Sequence, residues 1–142
     1  MLRSIAAVAA GFLATAVLVT VFDALLMAVV PQWFVDPAAP TVPLLTLPGT
    51  VVNLTAGTVG AVIGGYLMAL IARQNLMKHL YWLIGVLVLF GLLSATMDAG
   101  MGLPLWYSVL VVVLGIAGYY LGVRLYMARQ GEAEAPPTPA EV

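Results

Sequence analysis

Apolar residues fill this chain in four long stretches, each closed by proline, glycine or basic residues. A helix that crosses a hydrocarbon core of about 30 Å needs about 20 residues at about 1.5 Å each. Four stretches meet that length: about 4–30, stopping at Pro31; 51–72, between the Leu47–Thr50 turn and Arg73; 80–99, closing on Gly100 and Gly102; and 104–127. Thr50 is the expected N-cap of the second, and Pro104 suits the first turn of the fourth. The pattern predicts an all-α fold, an integral membrane four-helix bundle over 1–129. A disordered tail over 130–142 follows, whose Glu132, Glu134, Pro136, Pro137 and Pro139 have nothing to bury. The first stretch runs past Asp23 to Val30, beyond the roughly 7–15 apolar residues of a secretory signal, which predicts an uncleaved first helix.

The two halves of the pattern run in parallel. Arg3 is followed 20 positions later by Asp23, and Lys78 is followed 20 positions later by Asp98. Pro31, Trp33 and Phe34 then find counterparts in Pro104, Trp106 and Tyr107, and Gly57, Gly60 and Gly64 in Gly115, Gly118 and Gly122. The halves differ by an insertion of about 15 residues between Trp33 and Gly57, which holds Pro37, Pro40, Pro43 and Pro48. Two hairpins related by tandem duplication would produce this order. So would two unrelated membrane hairpins, since basic inner ends, aromatic outer ends and packing glycines are common to many. Small residues four apart let helix backbones approach closely where lipid supplies no hydrophobic drive. The six glycines are therefore expected to pack helices, with the second and fourth spans meeting, or dimerising, through the Gly60/Gly64 and Gly118/Gly122 faces.

Charge sets an orientation. All five Lys and Arg residues, Arg3, Arg73, Lys78, Arg124 and Arg129, fall on one side of a four-span topology, and the positive-inside rule makes that side cytoplasmic. Both termini are then cytoplasmic. Trp33, Trp106 and Tyr107 at one end and Tyr81, Trp82 and Tyr126 at the other match the interfacial preference of amphipathic rings.

Composition narrows the chemistry. With 63% hydrophobic and 8% charged residues and a net charge of −1, the chain lacks the polar surface of a soluble enzyme or a nucleic-acid binder. No cysteine and a single histidine, His79, leave no thiol chemistry and no ordinary ligand set for a metal or haem. No catalytic residue, metal or cofactor is expected. His79 reads as a solvated helix-start residue, and Arg124, one turn after Tyr120, as a snorkelling side chain over an aromatic ring.

Acidic groups within apolar spans are costly and so are candidates for function. Asp23 and Asp98 both fall near the outer ends of their spans, and Asn53 enters the second span at the same level, with Thr20, Thr50, Ser94 and Thr96 nearby. A polar cluster of Asp23, Asn53 and Asp98 follows geometrically. Two carboxylates brought together repel, which favours taking up a proton or binding a cation between them. Each could equally serve as a local hydrogen-bonding group that sets hairpin register.

The segment Gly60–Arg73, the acidic residue late in the first span, and the segments Pro104–Tyr107 and Gly118–Arg124 together resemble small bacterial four-span inner-membrane proteins of unknown function. The resemblance covers most of residues 1–127. It implies a four-helix membrane fold and a multi-pass place in the bacterial inner membrane, and it carries no activity. Small multidrug-resistance transporters are similar in size, but they place a Glu mid-way along the first span, where this chain has Ala14 and Thr15. The leading expectation is a structural or accessory membrane component, not an enzyme, packed through its glycine faces. Its contacts would be the lipid bilayer and a homo-oligomeric or membrane-protein partner. The alternative is a small oligomeric proton- or cation-coupled transporter or channel using Asp23 and Asp98.

Overall fold

A computed structural model describes residues 2–33, 35–36, 39–43, 46–100 and 103–133, with side chains described over 4–33, 46–97, 100 and 103–130. Four long helices follow one another: α1 (Leu2–Val29), α2 (Leu47–Ala72), α3 (Leu76–Gly100) and α4 (Leu105–Ala133). Each contains a run long and apolar enough to cross a membrane: Ser4–Val29, Leu47–Ala72, Leu76–Met97 and Leu105–Gln130. Between α1 and α2, a 3-10 turn at Pro31–Trp33 leads into a short antiparallel ribbon of β1 (Val35–Asp36) and β2 (Ala39–Pro43). The proline-rich insertion thus carries a little extended pairing on an otherwise helical architecture.

Three boundaries differ from expectation for local reasons. α2 starts four residues before Val51, because Thr46 rather than Thr50 is its cap. The Thr46 hydroxyl accepts from the Gly49 N–H at 3.2 Å, and Pro48 lies in the first turn, where no amide donor is required. Thr50 is already helical and returns its hydroxyl to the Thr46 carbonyl at 2.7 Å. α3 begins at Leu76, because the connection is only three residues long: Arg73 and Asn75 both take positive φ, 58° and 51°. The Asn75 carbonyl then accepts from the N–H groups of Lys78 and His79. α4 continues to Ala133, so residues 130–133 are helical where the tail was expected to begin. Residues 134–142 lie outside the described residues.

The helices alternate in direction. Gly11 faces Gly64 and Thr15 faces Gly60, so α1 and α2 are antiparallel. Gly118 lies against Thr58 and Ala61, and Gly122 against Val62 and Tyr66, so α2 and α4 are parallel. α3 runs back along α4, with Leu87 against Gly115, and touches α1 through the Phe12 and Phe90 rings, whose centroids are 4.9 Å apart. The most extensive interfaces are α2 with α4 and α1 with α2, which makes α2 the central helix. Arg73, Lys78, Arg124 and Arg129 gather toward one end of this array, called here the basic end.

Burial follows the logic of a chain solvated by lipid. The interior uses small or closely fitted residues, Ala7, Ala61, Met68, Ala69, Tyr119 and Val123, while Leu25, Leu89, Leu93, Val109 and Leu121 are exposed. With hydrocarbon outside as well as in, large apolar side chains gain little by turning inward, and close backbone approach supplies the packing.

The glycines divide by partner. A Cβ on Gly118 would fall 2.7 Å from the Ala61 Cβ and 2.8 Å from the Thr58 carbonyl oxygen. One on Gly122 would strike the Val62 carbonyl. α4 therefore meets α2 through this pair. Gly60 and Gly64 do not face α4 in the same way: they abut Thr15, Val19 and Gly11 of α1, with Gly64 also against the Tyr119 ring of α4, and α2 meets the α4 backbone through Ala61 and Gly65. Gly115 meets Leu87 of α3, and at Gly57 a Cβ would meet nothing within 4 Å. Residues aligned between the two halves thus have different neighbours.

Candidate functional site

A polar chain joins three helices away from the basic end. Asp23 lies six residues before the end of α1 and Asn53 six residues after the start of α2, each about 9 Å from its helix end at about 1.5 Å per residue. Antiparallel packing puts them side by side. The Asn53 Nδ2 donates to Asp23 Oδ1 at 2.8 Å, and the Tyr107 hydroxyl, from the first turn of α4, donates to Asn53 Oδ1 at 2.5 Å. Asn53 thus presents its amide hydrogens to the carboxylate and its carbonyl to the phenol, the pairing its two ends allow. Both dipoles point their positive ends toward Asp23, so each bond polarises the next.

The level of Asn53 is set seven residues upstream. The Thr46 hydroxyl donates to the Trp33 carbonyl at 2.7 Å while capping α2, which ties the turn after α1 to the N-cap of α2. Gly49 is needed there, since a Cβ would sit 2.6 Å from the same Trp33 oxygen. Seven residues are about two helical turns, so Asn53 emerges on the same face as the cap, toward α1.

Of the residues expected at this cluster, Asp23 and Asn53 are brought together. Asp98 lies in the last turn of α3, and its side chain falls outside the described residues. Thr50 and Thr96 return their hydroxyls to backbone carbonyls of their own helices, Thr46 and Leu93, and do not join the site. Tyr107 was expected only as an interfacial ring. Its deeper role was readable from helical spacing: it precedes Gly118 and Gly122 by 11 and 15 residues, on the same face of α4.

A second polar point, unanticipated from the sequence, lies midway along the helices. The Thr15 hydroxyl is within 3.0 Å of the Gly11 carbonyl and 3.1 Å of the Gly60 carbonyl, bridging α1 to α2. Tyr119 from α4 fills the same junction, wholly buried, and its hydroxyl has no hydrogen-bond partner among the described residues.

At the basic end, Arg124 donates through Nε and Nη2 to the Tyr120 hydroxyl at 2.9 and 2.5 Å and stacks over that ring at 5.1 Å. Arg129 reaches the Tyr66 hydroxyl of α2 at 3.4 Å. His79 is buried, 8% exposed, with Nδ1 at 3.0 Å from the Asn75 carbonyl, which corrects its reading as a solvated residue: the short 73–75 turn folds back over it. It lines a polar cleft of about 420 Å³ with Ser4, Arg73, Gln74 and Asn75. Among the described residues no group of three His, Cys, Asp or Glu could hold a metal.

No family model matches this chain, and no curated protein or solved structure matches it.

Proposed function

We propose that the chain is a four-helix bundle of a bacterial inner membrane, with both termini and the 73–75 turn cytoplasmic, and that it serves as a structural or accessory membrane component. The observation that carries this reading is Asn53. Both ends of its amide are engaged in holding α1 and α4 to α2, so the polar groups nearest the outer face act as a clamp. The close seams of Gly60 and Gly64 on α1, and of Gly118 and Gly122 on α2, support the same rigid role. Tandem duplication remains part of the proposal at the level of the two hairpins, whose glycines have since taken different partners.

A transporter or channel is the second reading, favoured by one feature. Asp23 is a carboxylate within an apolar span whose described hydrogen-bond partner is a neutral amide, and unpaired acidic groups at such depth commonly mark ion paths. Liposomes carrying the purified chain separate the two. With imposed proton, sodium or potassium gradients, the accessory reading expects no flux above protein-free vesicles. A flux that Asp23→Asn abolishes, with helix content unchanged, would establish the transporter instead.

A further inference from the structure

Arg124 stands deeper along its span than Arg129, the other basic residue of α4. It lies six residues inside the end of the apolar run of α4, about 9 Å at about 1.5 Å per residue. Its guanidinium bonds to the Tyr120 hydroxyl and lies over that ring, one turn back along α4. A guanidinium keeps its charge at any ordinary pH, and a charge at this depth is costly without a partner. The Tyr120 hydroxyl is a neutral acceptor and takes only part of the five-donor fork. No acidic residue occurs between Asn75 and Met97 or between Gly100 and Gly131, so the described side chains of α3 and α4 include no counter-charge.

Tyr120 is also the last residue of a groove. Between α3 and α4 runs a cavity of about 300 Å³, open to the lipid side and lined by Met77, Tyr81, Ile84, Val113, Ile116 and Tyr120. From Val113 to Tyr120 it follows α4 for about 10 Å. Its lining is apolar throughout except for the tyrosine hydroxyls. An apolar channel along the membrane normal that ends beneath a guanidinium with no acidic partner among the described residues has the two chemistries of one molecule, an acyl chain and an anionic headgroup.

We propose that the α3–α4 groove is a binding site for an anionic phospholipid of the cytoplasmic leaflet, with one acyl chain against Ile84, Val113 and Ile116 and the phosphate on Arg124. The phosphate accepts the guanidinium hydrogens that Tyr120 leaves over, in the forked geometry that suits this pair. The Tyr120 hydroxyl holds the fork in place, and the groove selects for chain as well as charge.

The test reconstitutes the full chain in bilayers containing a phosphatidylglycerol with a photoreactive acyl chain, and in parallel the matched phosphatidylcholine. Labelling of Ile84, Val113 and Ile116 is expected to be about fivefold stronger with the anionic lipid, the ratio that about one basic residue's headgroup attraction supplies. Arg124→Gln removes that difference, Arg124→Lys keeps part of it, and Arg129→Gln leaves it intact. Ile116→Trp, which fills the groove, lowers labelling by both lipids while helix content is unchanged. Equal labelling by the two lipids in the wild-type chain overturns the proposal. So does an undiminished preference in Arg124→Gln, an equal loss in Arg129→Gln, or crosslinking of the groove to a second copy of the chain.

Discussion

Asn53 is the residue on which the end of the molecule away from the basic residues converges. Replacing it with Ala takes the amide donor from Asp23 and the acceptor from Tyr107 in a single step. A buried polar group stripped of its partner costs about 1–3 kcal/mol, whereas a single interhelical side-chain bond in a membrane protein averages about 0.6 kcal/mol. Asn53→Ala is therefore expected to lower stability by about 2 kcal/mol and Tyr107→Phe by well under 1 kcal/mol, measured as reversible unfolding in mixed micelles. Equal losses in the two variants would show that Asp23 does not depend on the amide. The two bonds also mark how far the sequence could be read at this scale. Asp23 and Asn53 announce themselves as polar residues in apolar runs at matching depth. Tyr107 sits among interfacial aromatics and is separated from them only by its position on the Gly118/Gly122 face of α4, and Tyr119 looks like any other apolar-span aromatic until α1 and α2 close against it.

At the scale of the helix, glycine spacing makes close approach legible but not the neighbour approached. The same three-then-four spacing recurs in α2 and α4, yet Gly60 meets α1, Gly64 meets α1 and the Tyr119 ring, Gly118 and Gly122 meet α2, and Gly57 meets nothing within 4 Å. In a soluble helix the polar face would reveal which side is out, but here both sides are apolar, so the stripe has no sequence label for its partner. Gly57→Ala and Gly122→Ala should consequently differ in sign. The first exchanges glycine for a better helix former in open space and is expected to be neutral or stabilising by up to about 1 kcal/mol. The second drives a methyl into the Val62 carbonyl and is expected to destabilise by about 1–3 kcal/mol. Thermal unfolding of the two purified variants reads the contrast directly. Helix ends follow the same rule: the sequence points to Thr50 as the cap, and the Trp33 carbonyl, brought in by the turn after α1, engages Thr46 instead.

For the molecule as a whole, the number of spans and their alternation follow from run length and hydropathy, which is why four helices could be read from the chain alone. Orientation rests on the basic residues, and the absence of cysteine makes it simple to measure. Gln74→Cys, in the turn between α2 and α3, is expected to resist a membrane-impermeant maleimide in intact cells and to react after permeabilisation. Gln32→Cys, at the opposite end, is expected to react in both. The reverse pattern would invert the topology and move the Arg124 groove to the other leaflet. The central place of α2 bears on how the chain is made. α1 and α2 can settle against each other as soon as both have left the ribosome, but the broadest remaining face of α2 is covered by α4, which is synthesised only after α3. Until α4 arrives, the Ala61 and Gly65 stripe lies bare against lipid while α3 is being threaded past it. A chain truncated after α3 would keep all the earlier spans yet lack the piece that locks them, giving a membrane protease that surveys loosely held helices a place to begin.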